Sequence, residues 1–394
     1  MTLLEPDTLD ALAEAVTDAA LAGEPVEVLG GGALRGFGRP VNAPRSLSTR
    51  RLNRIHFYEP DELVISLEAG VALDAVSEAL ATSGQQLAFE PPNLSRLLGG
   101  EGVRTIGGVI AANLSGPRRL QAGAARDHLL GFVAVNGRGE VIKSGGRVVK
   151  NVTGYDLSKL IAGSWGTLAV ISTVTLKVLP RPETAATLLV PGLEAGGAVR
   201  LFARALAAPL DVTAAAWLPA TLAGPWASGP VAALRLEGLS LSVAERLDLI
   251  AGLAEGAPTA RLEAGETQAL WSAIRDAAPL AEPRDRAIWR ISVPPTTGPG
   301  VLTALPGAIG YLDWAGGLVW LSVEDAGDSG AAALRAHIAH SGGHATLVRA
   351  SAESRAALEP FQPLPAPLAA LTARVKDAFD PLRVLNPGRL YREL

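Results

Sequence analysis

Residues Thr105–Leu179 read TIGGVIAANLSGPRRLQAGAARDHLLGFVAVNGRGEVIKSGGRVVKNVTGYDLSKLIAGSWGTLAVISTVTLKVL. Small-residue loops, short β-branched runs and direction-reversing turns recur in this stretch. The apolar runs Phe132–Val135 and Val141–Ile142 flank Asn136-Gly137 and Gly139, which predicts a β-hairpin, because Asn-Gly supplies the backbone geometry of a tight turn. After a glycine-interrupted turn, Leu168, Val170, Ser172, Val174, Leu176 and Val178 recur at period two, the spacing of a strand. Gly107, Gly108, Gly116, Gly163 and Gly166 sit where a backbone comes close to something flat or charged. Five such positions in one strand-rich region predict a large bound cofactor.

Upstream, residues 7–22 predict a helix with Leu9, Leu12, Val16 and Ala20 on its apolar face and Asp7 as its cap. A short strand, Val26–Leu29, opens directly into Gly30-Gly31-Gly32. Amides of such a loop converge and cradle an anion, usually a pyrophosphate, although a plain glycine turn has the same sequence. No helix-forming run follows, so this is not a Rossmann fingerprint. Residues 61–70 predict a strand and 71–83 a helix. The order lacks the regular alternation of a doubly wound sheet and predicts an α+β fold.

Beyond Pro180-Arg181-Pro182 the composition shifts. Trp217, Trp226, Trp271, Trp289, Trp314 and Trp320 cluster there, six of the chain's seven tryptophans. Strand-like runs (185–190, 212–218, 231–237, 287–294, 318–323, 345–349) alternate with helical ones (198–207, 243–254, 267–276, 331–340). This pattern predicts an antiparallel sheet with helices on one face. A last helix, 367–378, leads into FDPLRVLNPGRLY, too short to fold alone and expected to dock on a unit already formed.

The length of 394 residues predicts two domains, or one with a large insertion, and 48% hydrophobic residues supply their cores. A net charge of −4 excludes a nucleic-acid surface. The absence of cysteine excludes disulfides, cysteinyl flavin links and iron–sulfur clusters held by this chain's own thiolates. The N-terminal stretch carries acidic residues and no basic region, so it predicts an amphipathic helix and not a signal peptide. The most apolar window, Leu160–Leu179, contains Lys177 at strand period, which argues against a membrane span. The expected location is the cytoplasm, with any membrane association made through partner subunits.

Taken together, the GGG after the first strand, TIGG–AANLSG, KNVTGYDL–GSWGTLAVI and the terminal FDP–LNPGRLY resemble the vanillyl-alcohol-oxidase-type (PCMH-type) FAD-binding family over roughly residues 20–182 and 366–394. Within it the chain is similar to the FAD-binding E subunits of bacterial glycolate oxidases, a likeness to which AIWRISVPP, YLDWAGGLVWL and GGHATLVRA add. The resemblance implies a two-subdomain FAD-binding domain over 1–181, an antiparallel-sheet α+β cap over 182–365 and a C-terminal segment, 366–394, returning to the FAD domain. Carried over by position, Gly30, Gly31, Gly32, Ala33 and Leu34 form the pyrophosphate loop. Thr105, Gly107, Gly108, Asn113 and Gly116 line the diphosphate and ribityl chain, Gly166 and Val170 lie near adenine, and Asn386 returns toward the ring. Some relatives link the flavin to a histidine after the glycine loop. Here Ala33-Leu34-Arg35 stand in that place, so the FAD is expected to be noncovalent.

The resemblance also implies oxidation of a small 2-hydroxy acid such as glycolate. Candidate catalytic residues are Arg290 or Arg349, whose planar fork suits a carboxylate, and His344 or Tyr155 as the base. An outward strand arginine, or a turn on which Asp156 caps the next helix, is the plainer reading of those positions; Lys150 and Asn151 lie on the same turn as Tyr155. His337 and His344 share the spacing of a metal-binding pair in related dehydrogenases, but lack its glycine–aspartate turn and its glutamate. No metal is expected. The alternative is an accessory flavoprotein relaying electrons beside a homologous FAD subunit, with an iron–sulfur subunit taking them onward. A third reading is a different FAD enzyme of the same fold. Trp314 and Trp320, around Ala315-Gly316-Gly317, are expected to offer a partner surface.

Overall fold

In the computed structural model, which describes residues 2–146 and 155–394, the first helix runs Leu9–Ala22 and buries Leu12, Val16 and Ala19 on one face. Its cap is Thr8, whose hydroxyl accepts from the Ala11 N–H at 3.1 Å. Asp7, the expected cap, pairs instead with Arg51 at 2.9 Å. Strands β1 (Thr2–Leu4), β2 (Val26–Leu29) and β3 (Arg45–Ser48) form a parallel sheet in the order β1-β3-β2.

Next come β4 (Ile55–Glu59), β5 (Val64–Glu68), β6 (Gln85–Gln86), β7 (Leu129–Asn136), β8 (Val141–Gly145), β9 (Ala169–Lys177) and β10 (Leu179–Pro180). Five of them make an antiparallel sheet, β4-β5-β9-β7-β8, while β6 pairs with β10. The expected hairpin is β7–β8. At its turn the Asn136 side-chain oxygen accepts from the N–H groups of Arg138 and Glu140, the local bonding that makes asparagine a turn residue. Ile65, Leu67, Phe132, Ala134, Val174 and Leu176 pack against Val76, Leu80, Ile106 and Ile110 in the core beneath this sheet.

The central region holds β11 (Thr184–Pro191), β12 (Ala214–Leu218), β13 (Val231–Gly238), β14 (Ala260–Leu262), β15 (Arg286–Ser292), β16 (Ile309–Asp313), β17 (Leu318–Glu324) and β18 (His344–Arg349). They form one antiparallel sheet ordered β14-β11-β13-β12-β16-β17-β15-β18. Its two halves meet through the single partner pair Trp217–Leu312. Alternation along β15 sends Ala287, Trp289 and Ile291 to a face covered by helices Ala195–Ala207, Ser240–Leu253 and Ala331–Ile338. The opposite face, with Ile288, Tyr311, Trp314, Trp320 and Val348, packs on Phe37, Leu94, Leu97 and Leu114 of the N-terminal region. Helix Ala264–Arg275 covers this second face too, so the one-sided arrangement expected from the sequence is corrected. Trp314 and Trp320 are 6% and 3% exposed. They are core residues of this packing and not a partner surface, since each faces the N-terminal region. Among the described residues no helix is long and apolar enough to cross a membrane.

The last helix, Ala366–Phe379, buries Lys376, whose Nζ donates to the Thr167 carbonyl (2.7 Å), the Leu385 carbonyl (2.9 Å) and Asp380 (2.7 Å). Asp380 in turn accepts from the N–H groups of Val384 and Leu385. Removing one member leaves the other charge buried without its counterion, at a cost of about 3–5 kcal/mol. Asp380→Ala should therefore lower the urea midpoint and loosen residues 380–394 to proteolysis. An unfolding midpoint and a digestion pattern like those of the native chain would show that the pair does not hold the segment.

Candidate functional site

β2 delivers the chain into the glycine loop, which lies flat on the segment before helix Ile106–Ala112. A Cβ on Gly30 would stand 2.3 Å from Thr105 Oγ1, and one on Gly31 would stand 2.2 Å from the Val103 carbonyl oxygen. The Val103 N–H donates to the Gly31 carbonyl at 2.8 Å. The N–H groups of Gly30, Gly32 and Leu34 find no acceptor in the chain among the described residues. Unsatisfied backbone donors are rare, and three in one loop mark a place for an anion.

These residues line one cleft of about 910 Å³, its open mouth included. Gly30, Gly31, Gly32, Ala33, Leu34, Thr105, Gly107, Gly108, Gly166, Val170 and Asn386 all border it. Trp165 and Val28 add apolar wall, with Pro92 and Leu94 from the preceding loop. Asn386 closes the base: its Oδ1 accepts from the Val28 N–H at 2.7 Å and its Nδ2 donates to the Trp165 carbonyl at 2.8 Å. With its amide so engaged, it fixes the walls and cannot reach toward a ring. Arg389, which the sequence reading missed, also borders the cleft. Its guanidinium donates to the Leu34 carbonyl at 2.9 Å and lies 5.6 Å from the Trp165 ring centroid. Burial pushes it down to about 10, with Glu27 opposing the shift. Glycine amides and apolar walls fit a dinucleotide: the loop would hold its diphosphate, while Arg389, which also donates to the carbonyls of Arg39 (3.1 Å) and Arg35 (3.5 Å), braces that loop from behind. No histidine, tyrosine or cysteine lines the cleft among the described residues.

Asn113 and Gly116 do not line it. Asn113 ends helix Ile106–Ala112 in the left-handed region (φ 50°) and accepts from the Arg126 N–H at 3.0 Å. The Gly116 carbonyl accepts from Trp314 Nε1 at 3.0 Å, and a Cβ there would lie 2.5 Å from the Glu90 carbonyl oxygen. These two positions support the contact between the N-terminal region and the central sheet.

On the sheet face turned toward that region, Arg290 of β15 lies with its guanidinium carbon 4.9 Å from the Trp314 ring centroid. Arg119, the first residue of the short helix Arg119–Ala122, lies 4.5 Å from the same centroid. His344 opens β18, register partner of Ser292, and feels both cations. Burial, then the Arg119 charge, lower Arg290 to about 10. Solvent still reaches His344, yet desolvation and then Arg290 and Arg119 hold it below its ordinary value, which favours the neutral ring. Asp313, buried at the turn beneath Trp314, accepts from the Trp314 N–H at 2.7 Å. Burial outweighs that bond, and with the Glu90 charge it raises Asp313 to about 7.

The structure thus brings Arg290 and His344 together and adds Arg119, whose four-residue helix is too short to give a periodic signal. Arg349 is excluded as a carboxylate clamp. Its donors are spent on the carbonyls of Leu97 (3.1 Å), Ala281 (2.7 Å), Pro283 (2.9 Å), Leu280 (3.3 Å) and Arg286 (3.1 Å). None of Arg290, His344 and Tyr155 borders the cleft; what corrects the candidacy of Tyr155 as a base is its exposure of 92%, which leaves it without an enclosing site. Asp156 does cap helix Leu157–Ile161, while Lys150 and Asn151 lie outside the described residues. His337 stands on helix Ala331–Ile338, beside Gly300, away from this cluster.

Comparison with known proteins defines the class first. The family described as "FAD binding domain" matches residues 2–145. Among solved structures, alkyldihydroxyacetonephosphate synthase superposes with a TM-score of 0.69 over 98% of this chain and 75% of its own, at 15% identity, which shows the fold alone. The chain is 34% identical over 392 residues to the glycolate oxidase subunit GlcE of Escherichia coli (strain K12), covering 100% of both. It therefore belongs to the PCMH-type FAD-binding family that includes this glycolate oxidase subunit. The glycolate oxidase subunit GlcD of Bacillus subtilis (strain 168) is 32% identical over 183 residues, 46% of this chain and 36% of that protein. The fold is accordingly α+β of the PCMH type and the cofactor is FAD.

Gly31→Ala should strip FAD, because its Cβ would stand 2.2 Å from the Val103 carbonyl oxygen and part the two walls of the cleft. Gly197→Ala, with its nearest atom at 3.7 Å, should not. The ratio of flavin to protein absorbance decides, and equal occupancy would show that the loop is only a turn. The flavin should also leave the polypeptide on acid or heat denaturation; yellow fluorescence retained on a denaturing gel would reveal a covalent link.

Proposed function

We propose that the chain is the FAD-binding subunit of a complex that oxidises a small 2-hydroxy acid, glycolate being the reference case, to the 2-oxo acid. The observation that carries this reading is Arg290, a guanidinium over the Trp314 ring with no ion pair or hydrogen bond among the described residues, set beside a histidine whose pKa is lowered. That pairing suits a substrate carboxylate and the hydroxyl proton of the same molecule. It lies on the sheet face that packs against Leu94 and Leu114, two residues that also line the cleft.

Bound FAD supplies a two-electron acceptor. Arg290 would bind the carboxylate through its fork and orient the alcohol carbon. Neutral His344 would accept the hydroxyl proton, and the Trp314 ring would cover the Arg290 guanidinium. Oxidation of the alcohol removes two electrons and two protons in all, one proton through His344. The chain has no cysteine with which to bind an iron–sulfur cluster, so electrons are proposed to leave through a separate iron–sulfur subunit, beside a homologous FAD subunit. The proposed setting is cytoplasmic, with membrane contact made through those partners.

A second reading, an accessory flavoprotein that relays electrons, is favoured by one observation. Among the described residues no group of three His, Asp or Glu is placed to hold a metal. Anaerobic mixing of the FAD-loaded chain with glycolate and D-lactate separates the two. Bleaching of the flavin by the chain alone supports its own catalysis, and bleaching only after the partner subunits are added supports the relay.

If His344 is the base, flavin reduction should stay flat through neutral pH and fall only below the ordinary histidine value of 6.5, because the base works deprotonated and its pKa is depressed. His344→Gln should remove that acidic limb. A limb unchanged in the variant would assign the proton to another group.

A further inference from the structure

The contact between the N-terminal region and the central sheet is rich in arginine, and most of it is neutralised. Arg235 meets Glu90 through two bonds of 2.9 Å, Arg118 lies 2.8 Å from Glu237, and Arg275 bonds Asp276 at 2.7 Å. Arg119 and Arg290 break this pattern. Among the described residues neither guanidinium makes an ion pair or a hydrogen bond, and residues 147–154 contain no acidic side chain that could supply one. Both are held over a single indole, that of Trp314. Each is lowered first by burial, Arg290 further by Arg119 and Arg119 further by Arg126. Of the nearby acids, Asp127 opposes the Arg119 shift but is engaged by the Ala124 N–H, Arg126 and Lys159, and Asp313, 1% exposed and bonded to the Trp314 N–H, opposes the Arg290 shift without forming an ion pair.

Two partly buried like charges, neither in contact with a carboxylate, are costly until an anion joins them, and a single carboxylate contacts only one of them fully. We propose that Arg119 and Arg290 form, across Trp314, a paired guanidinium site for a ligand with two acidic groups, so that the preferred substrate class is a 2-hydroxy acid bearing a second carboxylate. The inference rests on the reading that this sheet face is the substrate side, and it adds a specificity-determining residue, Arg119, contributed by the N-terminal region. The second acidic group would then tie the central sheet to the FAD-binding region. Glycolate, with one carboxylate, would engage Arg290 and leave Arg119 unpaired.

The test uses the FAD-loaded full chain and two anions that cannot be oxidised at an alcohol carbon, malonate and acetate. Binding is read by tryptophan fluorescence, for which Trp314 is the local reporter, and by calorimetry. Malonate should bind about tenfold or more tighter than acetate. Arg119→Gln should bring the two within about twofold by weakening malonate, Arg119→Lys should restore part of the preference, and Arg290→Gln should weaken both anions. FAD content and melting temperature are followed in each variant, and the charge-retaining lysine variant separates a lost contact from a lost fold. Equal affinity for the two anions in the native chain, no binding of either, or a parallel loss of both in Arg119→Gln overturns the proposal. Because binding is measured without turnover, its failure is distinct from that of the functional reading. Malonate selectivity in a chain whose flavin no 2-hydroxy acid reduces, alone or in complex, would leave the dianion site standing and remove the assigned reaction. Glycolate reduction without malonate selectivity would do the reverse.

Discussion

The buried Lys376–Asp380 pair is the constraint on which the cofactor cleft depends. A helix that exposes most of its length, with Leu368 and Leu371 about half exposed, has little apolar area with which to dock. The pair supplies the missing specificity. Lys376 reaches the Thr167 carbonyl before β9, and Asp380 accepts the N–H groups of Val384 and Leu385. It also fills the space that a Cβ on Gly137 would need, at 2.2 Å. This explains why the hairpin turn is Asn-Gly on grounds of close approach as much as of backbone freedom. From that anchor the chain runs on to Asn386, which bonds β2 and Trp165 together, and to Arg389, which ties down the chain after the glycine loop through the carbonyls of Leu34 and Arg39. Both walls and the base of the cleft therefore answer to a contact made within the last nineteen residues, 376–394.

A second level of organisation lies between the N-terminal region and the central sheet. Glu90 accepts both Arg235 bonds and the Arg118 N–H. Burial opposes its ionisation, but Arg235 and Arg118 outweigh burial and keep the carboxyl below its usual range. Arg235, for its part, is raised despite burial by Glu90 and Glu237. A network in which Arg235 and Glu90 are so well paired fixes the relative position of its elements, since each member is expensive to strand. Arg119 and Arg290 stand in the same packing without that compensation. Their contrast with Arg235, and not their exposure, is what sets them apart.

Much of this was legible in the sequence where period and turn chemistry agree. The β7–β8 hairpin, the strand after Gly166 and six of the eight central strands announce themselves by alternation within two residues of their ends. β16 and β14 did not: IGYLD mixes a glycine and a buried aspartate with its apolar residues, and ARL is too short to show a period. The glycine loop was legible as a loop, yet its close approach is to Val103 and Thr105 of the same chain, which no local pattern encodes. Asn113 and Gly116 carried the same small-residue signal as Gly107 and Gly108, but a helix of seven residues turns them out of the cleft. Arg349 and Arg290 looked alike, each a strand arginine. What separates them is the set of loop carbonyls from Leu280, Ala281 and Pro283 folded around Arg349, and that is a matter of tertiary packing.

Trp314 shows how the candidate site departs from the rules that made the rest readable. Trp314 and Ala315 both lie in the left-handed region, at φ 51° and 57°, where side chains other than glycine are uncommon. Such backbone persists when its surroundings over-determine it. Here Asp313 caps the turn, Trp314 Nε1 is held by the Gly116 carbonyl, and a Cβ on the neighbouring Gly316 would meet the Pro295 carbonyl oxygen at 2.7 Å. Asp313 is itself unfavourable as a buried anion. With its pKa raised to about 7 from 3.8, the folded state holds this proton over a range in which the unfolded chain has lost it, so its contribution to stability declines as pH rises through that range. Strain in the turn and an anion without solvent are both sustained at one point of the sheet. Their combined effect is to hold one indole where two arginines and a histidine converge, and a core packed only for stability would have no use for that arrangement.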